Sequence, residues 1–341
     1  TASPVTPPTP AAGIPGTATP TPVPTPAAAV PPAPVSLFQP ALATKDKPLT
    51  NTLGMQFVPV PITGGPTDKQ RVLFSIWPTR VQDYEPFVRE TRHEWIKTDF
   101  QQGPTHPAVF VSWEGAQAFC RWLTQRERQA GRLAADQAYR LPSDHEWSCA
   151  IGIGAREDAA QTPAEKSGKL DDVFPWGPTW PPKDHTGNYA SEELSELLQS
   201  GTAKPTHVRD FIPGYHDGHA TTSPVGTYPA NPYGLFDMSG SAWQWCEDWY
   251  DSSHTGRVRR SPCWNNGSRF LLLSSHREKN PPTDRFNAFG FRCVLASQPP
   301  TPVSTSPRIA TATKDAPFVN TLGMRFVPVP VRGGPTAGQP I

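Results

Sequence analysis

The sequence predicts an α+β domain with little regular secondary structure and long ordered loops. Three observations lead there. Only two stretches repeat apolar residues convincingly at helical spacing, and the rest of the secondary structure reads as short and irregular. From residue 151 onward the chain is rich in Gly, Pro, Asn, Asp and Trp with little periodicity. Loops of that length inside a compact domain usually carry a function or an ion.

In chain order, residues 1–39 come first, a Pro/Thr/Ala-rich stretch with almost no charge that cannot bury a core. It predicts a polyproline-type linker. It has no basic n-region and no long apolar run, so neither a signal peptide nor a membrane span is expected, and the chain reads as a piece of something longer. The domain itself is expected over 40–297. VQDYEPFVRETR, from Val81, predicts a helix. In SWEGAQAFCRWLTQRERQAG, Ser112 caps a second helix whose buried stripe is Ala116, Phe119, Cys120 and Leu123. In LPSDHEWSCAIG, Ser143 and Glu146 form a capping box, worth about 1 kcal/mol, that starts a third.

A repeat then sets the domain organisation. Residues 44–67 and 313–336 are identical at 18 of 24 positions, offset by 269. So long a spacing predicts whole domains in tandem and not a solenoid, whose units are roughly 20–50 residues. Residues 298–312 form a second Pro/Thr-rich linker, and 313–341 the start of a second copy.

The 31 basic and 30 acidic residues give no field that would gather phosphate backbones or anionic lipid, so no nucleic-acid partner is expected. Five cysteines show no zinc spacing. No GxSxG elbow, HExxH or Walker loop occurs. Glu247 and Asp248 read as turn residues, and His216 and His219 as solvent-exposed polar residues.

Several phrases in one order now stand together: NTLGMQFVPVP, HPAVFVSWEGAQAFCRWL, YRLPSDHEWSCA, FPWG, GNY, SPVGTYPANPYGLFDMSGSAWQWCEDWY and FGFRCV. They resemble the sulfatase-modifying-factor family, the fold of the formylglycine-generating enzyme, over 44–296. The resemblance implies a C-type-lectin-like fold. VLFSIWPTRVQDYEPFV beside a Pro/Thr linker also looks like sensor regions that follow bacterial serine/threonine kinase domains.

The family's oxidase needs two nearby thiols that bind copper, and the resemblance places those positions on Asn266 and Leu271. Neither is a cysteine, so no copper is expected. Cys263 reads as a small buried residue and not a nucleophile. The resemblance also implies a Cys120–Cys293 disulfide, with two buried free thiols as the alternative. It implies calcium at two places. One uses Asn188, the Tyr189 carbonyl, Asp217 and the His219 carbonyl. The other uses Asp237, the carbonyls of Gly240 and Ala242, and Gln244 in place of the usual Glu. The alternative is that Asn188 and Asp217 cap turns.

Two functional readings follow. The first is a non-catalytic recognition or sensor module in a tandem array, taking a protein, peptide or glycan ligand on loops bearing Trp264, Asn265, Asn266, Arg269, Arg277, Arg285 and Phe286. On the opposing view Trp264 and Phe286 are core and the arginines are solvated. The second is a formylglycine-generating or related metal-dependent oxidase. The compartment, extracytoplasmic or cytoplasmic, stays open.

Overall fold

A computed structural model describes residues 40–201, 208, 210–297, 318–319 and 325–326. Both expected linkers, 1–39 and 298–312, lie outside them. Two sheets organise the described residues between 40 and 297. The first contains β1 (Leu49–Thr50), β2 (Gln56–Pro61), β3 (Arg71–Ser75), β4 (Gln137–Arg140) and, from the far end of the domain, β9 (Val294–Ser297). Its order is β1-β2-β3-β9-β4, antiparallel throughout. The second contains β5 (Trp243–Trp249), β6 (Arg257–Arg260), β7 (Glu278–Asn280) and β8 (Phe289–Phe291), ordered β7-β6-β5-β8. Here β5 and β8 run parallel, which places Trp243 opposite Phe289.

The first sheet is buried on both faces, because its strands alternate between two apolar clusters with the period of a pleat. Phe57, Leu73, Tyr139 and Leu295 face one cluster; Val58, Val60, Val72, Phe74, Val294 and Ala296 face the other. Five helices flank the sheets: α1 (Val81–Thr91), α2 (Trp113–Gln129), α3 (Asp144–Ala150), α4 (Pro163–Lys166) and α5 (Glu192–Gln199). In α2 the Ser112 hydroxyl accepts from the Gly115 N–H at 3.0 Å, and the expected stripe packs beneath the sheet. The α3 capping box forms, with Ser143 N–H donating to Glu146 at 2.8 Å. Arg140 adds a 2.6 Å ion pair that fixes the same Glu146 carboxylate.

Beyond 151 the chain runs largely in long loops, with regular elements set among them. EELSELLQ forms α5, buried through Leu194, and WQWCEDW forms β5, in the middle of the second sheet. Alternation is hard to see in β5 because Trp243 to Cys246 are buried on both faces.

Candidate ligand cavity

The second sheet supplies the floor of a cavity of about 310 Å³. Strand β6 places Arg259 there, directly across from Glu278 on β7. After β6 the chain turns through Ser261, at φ +72°, and brings Cys263, Asn265 and Asn266 to the wall. Leu271 and the 286–289 segment close the other side, with Phe286 41 % exposed at the mouth. Asn280 and Asn287 complete a set of four side-chain amides around an aromatic floor of Trp243 and Phe289.

The positions of the expected thiol pair, Asn266 and Leu271, thus both line this one cavity. Cys263 is there too, but as a thiol: its Sγ donates to Asn265 Oδ1 at 2.8 Å and to Asn266 Oδ1 at 3.1 Å. Burial pushes its pKa up to about 12, so almost no thiolate exists at neutral pH.

Arg259 is 5 % exposed and lies against the Phe289 ring, 3.7 Å from its centroid. It donates to Asn280 Oδ1 at 2.5 Å, while its Nε and Nη1 have no hydrogen-bond partner among the described residues. Burial lowers its pKa to about 10, which leaves it charged at neutral pH. The sequence reading misses Arg259, Asn280 and Asn287. The only signal for Arg259 is the alternation in RVRR, which sends Arg257 and Arg259 to one face and Arg260 to the other.

Four expected surface residues fall elsewhere. Trp264 is core, 3 % exposed and edge-on to Phe100. Arg277 is also buried, in an ion cluster where it, Arg260 and Lys166 surround Asp144, and where it also pairs with Glu157 at 2.6 Å. Burial alone would raise the Asp144 pKa; the three cations outweigh it and hold the carboxyl far below the usual range. Arg269 is exposed, donating to the Asp171 carbonyl at 2.7 Å, and Arg285 pairs with Glu94 at 3.3 Å. Asn265 lines the cavity but is buried, not exposed.

Asn188 and Asp217 converge. Asn188 Nδ2 donates to the Thr221 carbonyl at 3.0 Å, and Asp217 accepts the N–H groups of Tyr189 (2.9 Å) and His219 (2.8 Å). Asn188 Oδ1 is buried with no partner among the described residues. Burial pushes Asp217 up to about 6. Asn188 Nδ2 also faces Asp217 Oδ2 at 3.4 Å, so of the expected side-chain oxygens only Asn188 Oδ1 is left free for a hard cation such as calcium.

The second set fits less well. Gln244 Oε1 accepts from Arg292 Nε at 2.9 Å, and its Nε2 donates to the Asp237 carbonyl at 2.8 Å. Arg292 also donates to that carbonyl at 3.1 Å, so a guanidinium occupies Gln244 Oε1, one of the oxygens a second cation would need. Asp237 keeps one buried oxygen without a partner, and burial pushes its pKa up to about 6. Among the described residues, no three His, Cys, Asp or Glu side chains are grouped to hold a metal, and His216 pairs with Glu193 at 3.2 Å.

Cys120 and Cys293 meet under the first sheet as free thiols, with their sulfurs 3.6 Å apart against roughly 2.05 Å in a disulfide.

Two curled sheets, the second of them flooring a cavity walled partly by loops, define a lectin-like α+β scaffold. The chain belongs to the sulfatase-modifying factor enzyme 1-like domain family, whose profile matches residues 67–297. The formylglycine-generating enzyme of Bos taurus is 28 % identical over 216 residues, 58 % of this chain and 46 % of that protein. The serine/threonine-protein kinase pkn1 of Chlamydia caviae is 40 % identical over 206 residues, 55 % of this chain and 24 % of the kinase. The chain therefore spans about half the length of the first and a quarter of the second. Among solved structures, PvdO from Pseudomonas aeruginosa aligns at TM-score 0.47 and 19 % identity, covering 72 % of this chain and 96 % of that one. No helix among the described residues is long and apolar enough to cross a membrane.

Proposed function

We propose that this chain is a non-catalytic recognition or sensor module, part of a larger multidomain protein, that takes a protein, peptide or glycan ligand in the cavity beneath Phe286. The observation that carries the reading is the chemistry at the cavity wall: Asn266 and Leu271 stand where the oxidase needs thiols, and Cys263 beside them is a protonated, hydrogen-bonded thiol. Oxygen activation by copper needs soft thiolate ligands. What remains suits binding. Four amides, one buried guanidinium and aromatic walls give directed hydrogen bonds over apolar area, and the volume lies at the low end of the roughly 300–1,000 Å³ of small-ligand sites. A kinase relative supports placement beside a signalling domain. The 44–67 repeat supports further copies in the parent protein, where tandem display would add avidity. Calcium at Asn188 and Asp217 belongs to the same proposal, as a fastener between loops.

The test is to incubate the protein with copper(I) and a cysteine peptide of sulfatase type, and to follow the peptide by mass spectrometry. The expected result is unchanged cysteine. Conversion to the aldehyde with turnover, abolished by Cys263→Ser, would overturn the reading in favour of an oxidase.

A further inference from the structure

The hairpin β1–β2 has a near-copy in the same chain. Residues 313–336 repeat 44–67, and β10 (Phe318–Val319) pairs antiparallel with β11 (Arg325–Phe326). The register is the same in both. Phe318 faces Phe326 and Val319 faces Arg325, and 269 residues earlier Leu49 faces Phe57 and Thr50 faces Gln56.

The first hairpin holds its place in the domain through a definable set of groups. Met55, Phe57, Val58, Val60 and Ile62 are at most 3 % exposed. Asn51 Oδ1 ties the turn by accepting the N–H groups of Leu53 and Met55, each at 3.0 Å. Thr52 donates through its N–H to Glu127 at 2.9 Å, and Thr67 through its hydroxyl to Glu146 at 2.9 Å.

The repeat supplies Met324, Phe326, Val327, Val329 and Val331 for the apolar set, and Asn320, Thr321 and Thr336 for the polar one. Of the six differences, Lys47, Thr50 and Thr63 are exposed and Gln56 is half-buried, while Leu49 and Ile62 are replaced by apolar Phe318 and Val331. Thr50 and Thr63 touch the rest of the domain through carbonyls, which accept from Arg132 at 2.6 Å and bond His145 at 2.8 Å. Any residue supplies a carbonyl. Position matters as well: β1–β2 is at the edge of its sheet, joined to the ladder by β2–β3 pairing, so replacing it does not divide the sheet.

We infer that the place beside β3 has two occupants within one chain: residues 313–336 exchange with residues 44–67 for the same ladder and the same core contacts. Reach permits it. β9 ends at Ser297, next to β3, and the 20 residues 298–317 lead to β10. Even as a stiff polyproline-type spacer they span up to about 60 Å at about 3.1 Å per residue. Three strand spacings and four residues along the strand need about 20 Å. Tethering makes the exchange intramolecular, so the repeat competes at an effective concentration on the order of millimolar. The released 44–67 segment then presents the same strand pair outward.

Disulfide trapping in the full chain tests this. Pro61 and Arg71 are exposed cross-strand partners, and Pro330 is the counterpart of Pro61. Partners on adjacent antiparallel strands have Cα atoms roughly 4.5–5.5 Å apart, within disulfide range. The five native cysteines are buried. The pair Arg71→Cys/Pro61→Cys reports the resident hairpin, and Arg71→Cys/Pro330→Cys reports the exchanged one.

The expected result is a monomeric 71–330 disulfide, several-fold more abundant when Phe57→Asp weakens the resident hairpin. Absence of a 71–330 bond under oxidation that gives 71–61 in high yield overturns the inference. A 71–330 bond found only in dimers overturns the assignment to the same chain. As a second readout, the melting temperature of Phe57→Asp should fall further when Phe326→Asp is added. An unchanged value would also count against exchange.

Discussion

Replacing Arg277 with alanine should unfold the domain more readily, without acting first on ligand binding. The guanidinium is fully buried and bridges two carboxylates: Nε and Nη2 reach Asp144 at 3.0 and 3.1 Å, and Nη1 and Nη2 reach Glu157 at 2.7 and 2.6 Å. In Arg277→Ala, Asp144 keeps Arg260 and Lys166, each at 2.7 Å, but Glu157 loses the cation it bonds. Leaving one partner of a buried ion pair behind costs about 3–5 kcal/mol. For a domain of this size that is a fall in Tm of about 6–20 °C.

The pH dependence carries the sign. In the parent, burial by itself would raise the Glu157 pKa; Arg277 and Arg260 outweigh it and hold the carboxyl below its ordinary value. This stabilisation is fully present above pH about 4.5 and is lost as pH falls through the lowered folded pKa. In the variant the stranded carboxyl is raised instead and takes up a proton as pH falls. The destabilisation should therefore be larger at pH 8 than at pH 5. Urea unfolding followed by tryptophan fluorescence at both pH values, with exposed Arg269→Ala as the comparison, checks this. A loss under about 1 kcal/mol, or one independent of pH, would refute the structural role of Arg277.

Three further outcomes follow from the same chemistry. Iodoacetamide at pH 8 should leave Cys263 unmodified in the folded protein and alkylate it in urea, as read by peptide mass spectrometry, because its pKa stands near 12. Asp237→Asn should raise Tm in EDTA more at pH 8 than at pH 4.5. With a folded pKa of about 6 above an unfolded value near 3.9, the aspartate makes stability fall as pH rises from about 4 to 6, and the amide removes that slope. Calcium at 100 times its Kd should stabilise the parent by about 2.7 kcal/mol, and Asn188→Ala should abolish that gain; equal melts with and without calcium would count against the site.

The parts of this fold legible in the sequence are those whose causes are local. Ser112 and Ser143 cap helices from within three residues, and the α2 stripe needs only one helix to be seen. The ring around Asp144 is not local. Arg260 and Arg277 stand 116 and 133 residues from it, and in sequence they look no different from Arg269, which ends exposed. The sequence therefore places Arg277 on a surface that it supports from beneath. For the same reason the cavity is only partly legible. Asn265, Asn266, Leu271 and Phe286 fall in the stretch that the family resemblance marks, but Arg259 and Asn280 reach it only because β6 and β7 pair. Cys120 and Cys293, 173 residues apart, are paired by the family resemblance and not by any local signal.

Strand β9 sits between β3 and β4, with Ala296 opposite both Val72 and Ala138, although it is the last strand before residue 298. A ribosome making this domain from the N-terminus has released about 250 residues of nascent chain before the strand that joins the two halves of the sheet emerges. Until then β3 and β4 have bare inner edges and much of both apolar clusters is exposed to other chains in the cell, so this domain depends on being completed quickly or shielded while it waits.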